Sequence, residues 1–180
     1  MAVLIEAISV VIDNAALLAA FGNDWERFKR TVPNATLCAD GELVRVGFMT
    51  PTDVEHYIKL LEAHGLRHFE DGQAKSMVVV DQQRGPLQSC DWVEFGHITL
   101  DGDARKRVAA CRAKDSASRQ LFKPDGWTFE SSLSSSFGFV PTESVEKSLK
   151  LLRSEDGLDV YWNELTGKEI YIGRTSRERK

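Results

Sequence analysis

The chain holds few of the residues that mark a reaction centre. Its 180 residues include only three cysteines and four histidines. Cys38, Cys90 and Cys111 form no close pair, which excludes a Cys-x-x-Cys motif and a disulfide framework and fits a reducing compartment. His64 and His68 are four apart, but Gly65 breaks the helix that would align them, and His56 sits at a different angle, so no metal site is expected. Gly-x-Gly-x-x-Gly, P-loop and Gly-x-Ser-x-Gly motifs are all missing, and no cofactor is implied. No apolar run approaches the roughly 20 residues that span a bilayer. The apolar stretch Val3 to Ile12 carries Glu6 and no basic leader, so it reads as a core strand rather than a signal peptide. Excess positive charge is lacking too. At a net charge of −4 no global field draws nucleic acid. The expectation is a soluble cytoplasmic protein.

What is present is architecture. The 42% hydrophobic and 28% charged fractions are those of an ordinary globular chain. The length suits one domain over residues 1–174, with 175–180 as a flexible basic tail. Residues 36–66 are the sharpest segment. Asp40-Gly41 separates two strand-like runs as a tight turn requires. Thr50, Pro51 and Asp53 then open a helix as cap, first residue and capping partner. Val54, Tyr57, Ile58 and Leu61 follow at helical spacing, and Gly65 closes the helix.

Elsewhere, Ala2 to Ile12 reads as one continuous central strand. Asn14 to Phe21 reads as a short helix stopped by Gly22, and Trp25, Phe28 and Val32 lie on one side of a second. Met77 to Asp81 is an apolar strand. Asp91 to Leu100 and Lys106 to Ala113 form a hairpin around Asp101-Gly102-Asp103. Lys114 to Gly126 reads as a polar loop. The odd spacing of Trp127, Phe129, Leu133, Phe137 and Phe139 predicts a long bent strand, although part of it also fits a helical stripe. Ser144 to Arg153 fits a helix through Glu143–Lys147 and Glu146–Lys150, or a hairpin with Leu158 to Trp162; the hairpin is preferred. Glu169 to Gly173 forms a final edge strand. The sum is an α+β fold, a mostly antiparallel sheet built from hairpins with about three helices packed on it.

Residues 83–92, QRGPLQSCDW, resemble the nucleophile region of papain-like cysteine peptidases, where a glutamine precedes a Gly-rich loop and a Ser-Cys-Trp run. The resemblance covers ten residues and implies a Cys90 thiolate, a base and amide donors for an oxyanion. Asp91 interrupts the run, and the following residues alternate like a strand instead of opening a helix. His97 lies seven residues on, roughly 20 Å along an extended chain. A small buried thiol at a strand start is the preferred reading of Cys90. Asp81, Asp91, Glu94 and His97 would gather at one sheet edge if the strands Met77–Asp81 and Asp91–Leu100 paired. Trp92, Tyr161 and Tyr171 are candidate partner-binding aromatics, with Tyr161 and Tyr171 as a possible exposed pair. Arg105, Lys106, Arg107 and Arg112 are the candidate contacts for nucleic acid, a reading the net charge opposes. The preferred function is a non-catalytic binding or interaction module for a protein partner or a small ligand. Its alternative is a hydrolytic or metal-assisted enzyme using Cys90 and His97 or the Asp81, Asp91 and Glu94 carboxylates.

Overall fold

The computed structural model describes residues 1–116, 120–136, 149–155, 158–163 and 168–173. In chain order they form β1 (Ala2–Ile5), β2 (Ile8–Asp13), α1 (Asn14–Ala20), α2 (Trp25–Lys29), β3 (Cys38–Ala39), β4 (Leu43–Phe48) and α3 (Pro51–Ala63). Next come β5 (Phe69–Glu70), β6 (Gln73–Ala74), β7 (Met77–Asp81), β8 (Gly85–Pro86), β9 (Val93–Thr99), β10 (Arg107–Ala113) and β11 (Leu121–Phe122). A short helix α4 (Leu133–Ser136) precedes β12 (Leu149–Glu155), β13 (Leu158–Asn163) and β14 (Lys168–Gly173). The sheets are ordered β3-β4-β2-β7-β8, β11-β1-β10-β9, β12-β13-β14 and β5-β6. Among the described residues only the β1–β11 pair is parallel. The class is α+β with mostly antiparallel sheets, and α4 adds one turn to the three helices read from the sequence.

Strand alternation builds three layers. Val10 and Ile12 of β2, Val44 and Val46 of β4, and Met77 and Val79 of β7 pack with Leu17, Phe21, Phe28, Tyr57 and Leu61 under the helices. The intervening residues Val11, Leu43, Val78 and Val80 point the other way, onto Val3 and Ile5 of β1 and Ala109 and Cys111 of β10. The five-stranded sheet is therefore covered on both faces, which is why its strands are apolar at successive positions. A fully buried Val, Leu, Ile or Phe side chain contributes roughly 1.5–3 kcal/mol, so both layers are needed to offset chain entropy.

Local signals work as the residue types require. Asp13 caps α1 by accepting from the Ala16 amide, and Asp24 caps α2 by accepting from that of Arg27. The Thr50 hydroxyl accepts from the Asp53 amide and donates to the Asp53 carboxylate (2.7 Å). Asp40 Oδ1 accepts from the amides of Glu42 (2.9 Å) and Leu43 (2.7 Å), holding the β3–β4 turn in which Gly41 takes φ +92°.

Several expectations need correction. Ala2 to Ile12 is not one strand. It breaks at Glu6-Ala7, where Ala7 takes φ +48°, and its halves enter different sheets. Residues 127–136 form turns and α4 rather than a strand, with the Ser131 and Ser132 hydroxyls donating back to the carbonyls of Thr128 and Phe129. Phe137 and Phe139 lie outside the described residues. The polar segment 114–126 contains β11, whose two residues pair alongside β1 at the end of the four-stranded sheet. Strands β7 and β9 do not pair, because β7 joins the five-stranded sheet and β9 the four-stranded one. The hairpin reading holds for the pairing of β12 with β13; residues 144–148, 156–157 and the 175–180 tail lie outside the described residues.

Candidate functional site

The break at Glu6-Ala7 needs a reason, because a non-glycine residue at positive φ costs about 1 kcal/mol or more. Gln82 supplies it. Its side-chain oxygen accepts from the Ala7 amide (2.8 Å) and its own amide donates to the Ala7 carbonyl (2.9 Å), clasping that residue on both sides. Gln82 Nε2 also reaches Ser134 Oγ (3.4 Å). The buried Glu6 carboxylate accepts from Ser134 N (3.0 Å) and Oγ (2.8 Å), which anchors α4 over the break.

Beside this knot lies Arg45, 2% exposed. In β4 it shares a face with Leu43 and Gly47, and it runs along the strand so that its guanidinium covers Gly47. A Cβ on Gly47 would lie 2.4 Å from Arg45 Nη2 and 2.7 Å from Cζ. Nε donates to Ser9 Oγ (2.9 Å), Nη1 to the Thr36 carbonyl (3.1 Å) and Nη2 to the Glu6 carbonyl (3.0 Å). Three of the five guanidinium N–H groups are thereby engaged, all on neutral oxygens. No carboxylate comes within ion-pair distance of Arg45 among the described residues. Burial presses its pKa below the usual value, while the nearby Cys38 and Glu6 charges oppose that shift.

Arg45, Gly47 and Glu6 floor a cleft of about 600 Å³ that opens past the end of β4 against α3. Tyr57, presented by the apolar face of α3, forms its inner wall at 4% exposure. The Tyr57 hydroxyl is buried and makes no hydrogen bond of ordinary geometry. Burial pushes this phenol up to about 12, a rise only partly offset by the Thr31 hydroxyl near it. Thr31 itself donates to the Phe28 carbonyl (2.8 Å). The Tyr57 ring packs on Phe48, centroids 5.2 Å apart. At the rim Met49 is 42% and Leu60 38% exposed, two large apolar side chains left in water at the mouth. A cleft of this size, apolar in its walls and polar at its floor, has the proportions of a small-molecule site.

No protein-family model, curated protein or solved structure matches the chain.

The residues singled out from the sequence lie elsewhere and do not form one centre. Asp81 is buried, and its Oδ1 accepts from the amides of Gln83 and Arg84 (both 2.9 Å), a strand-end turn. Cys90 is half-buried against the inter-sheet core, and burial raises its thiol pKa, the reverse of an activated nucleophile. Asp91 is exposed. Glu94 pairs with Arg112 (2.6 Å). His97 stacks edge-on to Phe95 at 5.3 Å, and burial first and the Arg107 charge second lower its pKa. Glu94 and His97 share a second hollow of about 470 Å³ with Arg112, but Asp81, Cys90 and Asp91 do not border it. No group of three or more His, Cys, Asp or Glu side chains has metal-ligand geometry among the described residues.

Trp92 packs on the core and donates from Nε1 to the Ala74 carbonyl (3.1 Å). Register sets Tyr161 opposite Ile170 and Tyr171 opposite Val160, so the ladder does not place the two tyrosines side by side. Of the basic residues, Arg105 is held by Asp103 (3.0 Å), Lys106 by Glu130 (2.6 Å) and Arg112 by Glu94. No motif spans the cleft, so sequence reasoning passed over it. Its one sequence signal is Leu43-Val-Arg-Val-Gly-Phe48, an arginine inside a strand with apolar residues on both sides and glycine two positions later.

Proposed function

We propose that this protein is a non-catalytic binding module that takes a small ligand in the cleft between α3 and the end of β4. The observation that carries the reading is the Tyr57 hydroxyl, buried in the cleft wall with no hydrogen bond of ordinary geometry. A native fold leaves such a group unsatisfied at a cost of about 1–3 kcal/mol, and a ligand that completes it offsets that cost. The exposed Met49 and Leu60 at the mouth support the same role. A cytoplasmic setting accompanies this reading, supported by three cysteines that remain thiols. No helix among the described residues is long and apolar enough to cross a membrane.

The test is a fragment screen read by amide chemical shifts on wild type and Tyr57→Phe. Hits should perturb α3 and the end of β4, and Tyr57→Phe should weaken those that carry an anionic acceptor while melting at the same or a higher temperature. Hits confined to other surfaces, or a Tyr57→Phe protein markedly less stable than wild type, count against the proposal. A protein partner is a second form of the reading, favoured by Leu151, Leu152 and Trp162, all exposed on the β12-β13-β14 sheet. Leu152→Ser with Trp162→Ser should then abolish co-purification of that partner while the melting curve is unchanged.

A further inference from the structure

We infer that the ligand of this cleft is a small amphipathic monocarboxylate, its carboxylate on Arg45 and Tyr57 and its apolar body along Phe48, Met49 and Leu60. The inference rests on the binding role proposed above and adds the chemical class.

Beside the Glu6 carboxylate, the floor holds donors with N–H and O–H groups to spare. Among the described residues two guanidinium N–H groups of Arg45 are unengaged, and the Tyr57 O–H makes no hydrogen bond of ordinary geometry, with only the Thr31 hydroxyl near it. Some of the acceptors around them are taken, the exceptions being the Glu6 and Asp53 carboxylates and the Thr31 hydroxyl oxygen. Asn34 Oδ1 receives the Thr36 amide (3.0 Å) and hydroxyl (2.5 Å), and the Gly47 carbonyl receives Asn34 Nδ2 (2.8 Å). An ammonium at the floor would instead face the Arg45 guanidinium, and the carboxylate beside it, Glu6, already accepts two hydrogen bonds from Ser134. Among the described residues Arg45 is also a buried cation that hydrogen-bonds only neutral oxygens, with the Glu6 charge nearby but not paired to it, and an anion would complete it. A carboxylate presents two oxygens to the planar fork of a guanidinium, which matches the two N–H groups left over.

Charge at the site limits the anion to a single negative unit. The Glu6 carboxylate borders the same cleft, though Ser134 already holds it, and Asp53 and His56 stand at the α3 rim. A dianion such as phosphate would meet repulsion from Glu6 and Asp53 that a monoanion halves. The walls then select an apolar body, since Met49 and Leu60 are covered only when one lies between them.

The experiment titrates the full-length isotope-labelled protein at pH 7 with decanoate, decanol, decylamine and inorganic phosphate, each below its aggregation limit. Decanoate should perturb α3 and the end of β4 and bind roughly tenfold or more tighter than decanol, the ratio expected of charge-assisted hydrogen bonds. Decylamine and phosphate should bind more weakly than decanol. Tyr57→Phe should weaken decanoate severalfold and leave decanol nearly unchanged, a difference that loss of folding cannot produce. Arg45→Lys should weaken decanoate further; if that variant does not fold, the decanoate-to-decanol ratio in wild type and Tyr57→Phe still decides. Decanol binding as tightly as decanoate, or phosphate binding more tightly, overturns the carboxylate assignment and leaves the cleft as a ligand site. Failure of all four probes to perturb α3 overturns the binding role as well.

Discussion

Gly47→Ala puts two physical rules in direct opposition. In a strand interior, alanine is favoured over glycine by roughly 0.5–1 kcal/mol because glycine loses more freedom on folding. Gly47 has no positive φ to forbid a side chain. Local reasoning therefore predicts a more stable protein. The guanidinium of Arg45 reverses the sign. A Cβ at position 47 would stand 2.4 Å from Nη2 and 2.7 Å from Cζ. Ordinary contact between such atoms begins near about 3.5 Å, so the guanidinium must retreat by about 1 Å. It is the far end of a flexible side chain, but three hydrogen bonds of 2.9–3.1 Å hold it, and moving toward the cleft breaks them. Losing one or two charged hydrogen bonds at about 1.5–3 kcal/mol each exceeds the backbone gain and leaves a net loss of about 2–4 kcal/mol. For a domain of this size that lowers Tm by about 5–15 °C. Gly96→Ala is the internal control. Gly96 is also in a strand without positive φ, and nothing lies within 4 Å of the place its methyl group would take. It should be neutral or gain a few tenths of a kcal/mol. Urea denaturation of the two variants decides the matter. Equal stability of Gly47→Ala and Gly96→Ala would refute the placement of Arg45 over Gly47, and with it the floor of the cleft.

Thiol labelling should be ordered by burial. Cys90, half-buried with a raised pKa, should react at pH 8 more slowly than a free thiol. Cys38, raised to about 11, and Cys111, raised further by burial, should label only after unfolding; fast labelling of Cys111 in the native protein would contradict the inter-sheet core. Stability should also fall in alkali. Cys38 and Tyr57 have ordinary values of 9.0 and 10.0 and folded values of about 11 and 12. Raised acids of this kind stabilise fully below the unfolded pKa and lose that contribution as pH climbs through the folded one, so Tm should decline from about pH 9 to pH 12. Tyr57→Phe should flatten the upper part of the decline, and an unchanged profile would argue that the phenol is solvated. Asp40→Ala removes the acceptor for two amides of the β3–β4 turn and should lower unfolding free energy by about 1–3 kcal/mol in urea; an effect under a few tenths would deny that turn its support.

Legibility in the sequence followed the range of the forces. The Asp40-Gly41 turn, the Thr50 cap and the stripe Val54, Tyr57, Ile58 and Leu61 are written within a few residues each, and all appear as read. The hairpins β9–β10 and β12–β13 were legible for the same reason. What escaped depends on residues far apart. The break at Ala7 is imposed by Gln82, 75 residues away, and nothing near Ala7 signals it. Helix α4 is held by Glu6 across 128 residues, so its short serine-rich sequence carries no sign of it. The separation of Asp81 from Glu94 turns on which sheet each strand joins, a choice that period-two alternation cannot express. The cleft combines Arg45, Tyr57 and Glu6 from three segments. Each looked like a strand, helix or core residue in its own neighbourhood.

The division of the first apolar run has a kinetic consequence. Val10 finds its neighbours at Val46 and Val79, but Val3 pairs with Cys111. At ribosomal speeds of about 5–20 residues per second, the opening strand waits on the order of 5–20 s for its antiparallel mate to be synthesised. Meanwhile the helical half of the molecule has every strand it needs to assemble. Nascent protein should therefore pass through a stage in which residues 8–81 are ordered and β1 rests on them through Val3 and Ile5 with its backbone edges still unpaired. Those unpaired edges are where pairing with another chain should be easiest.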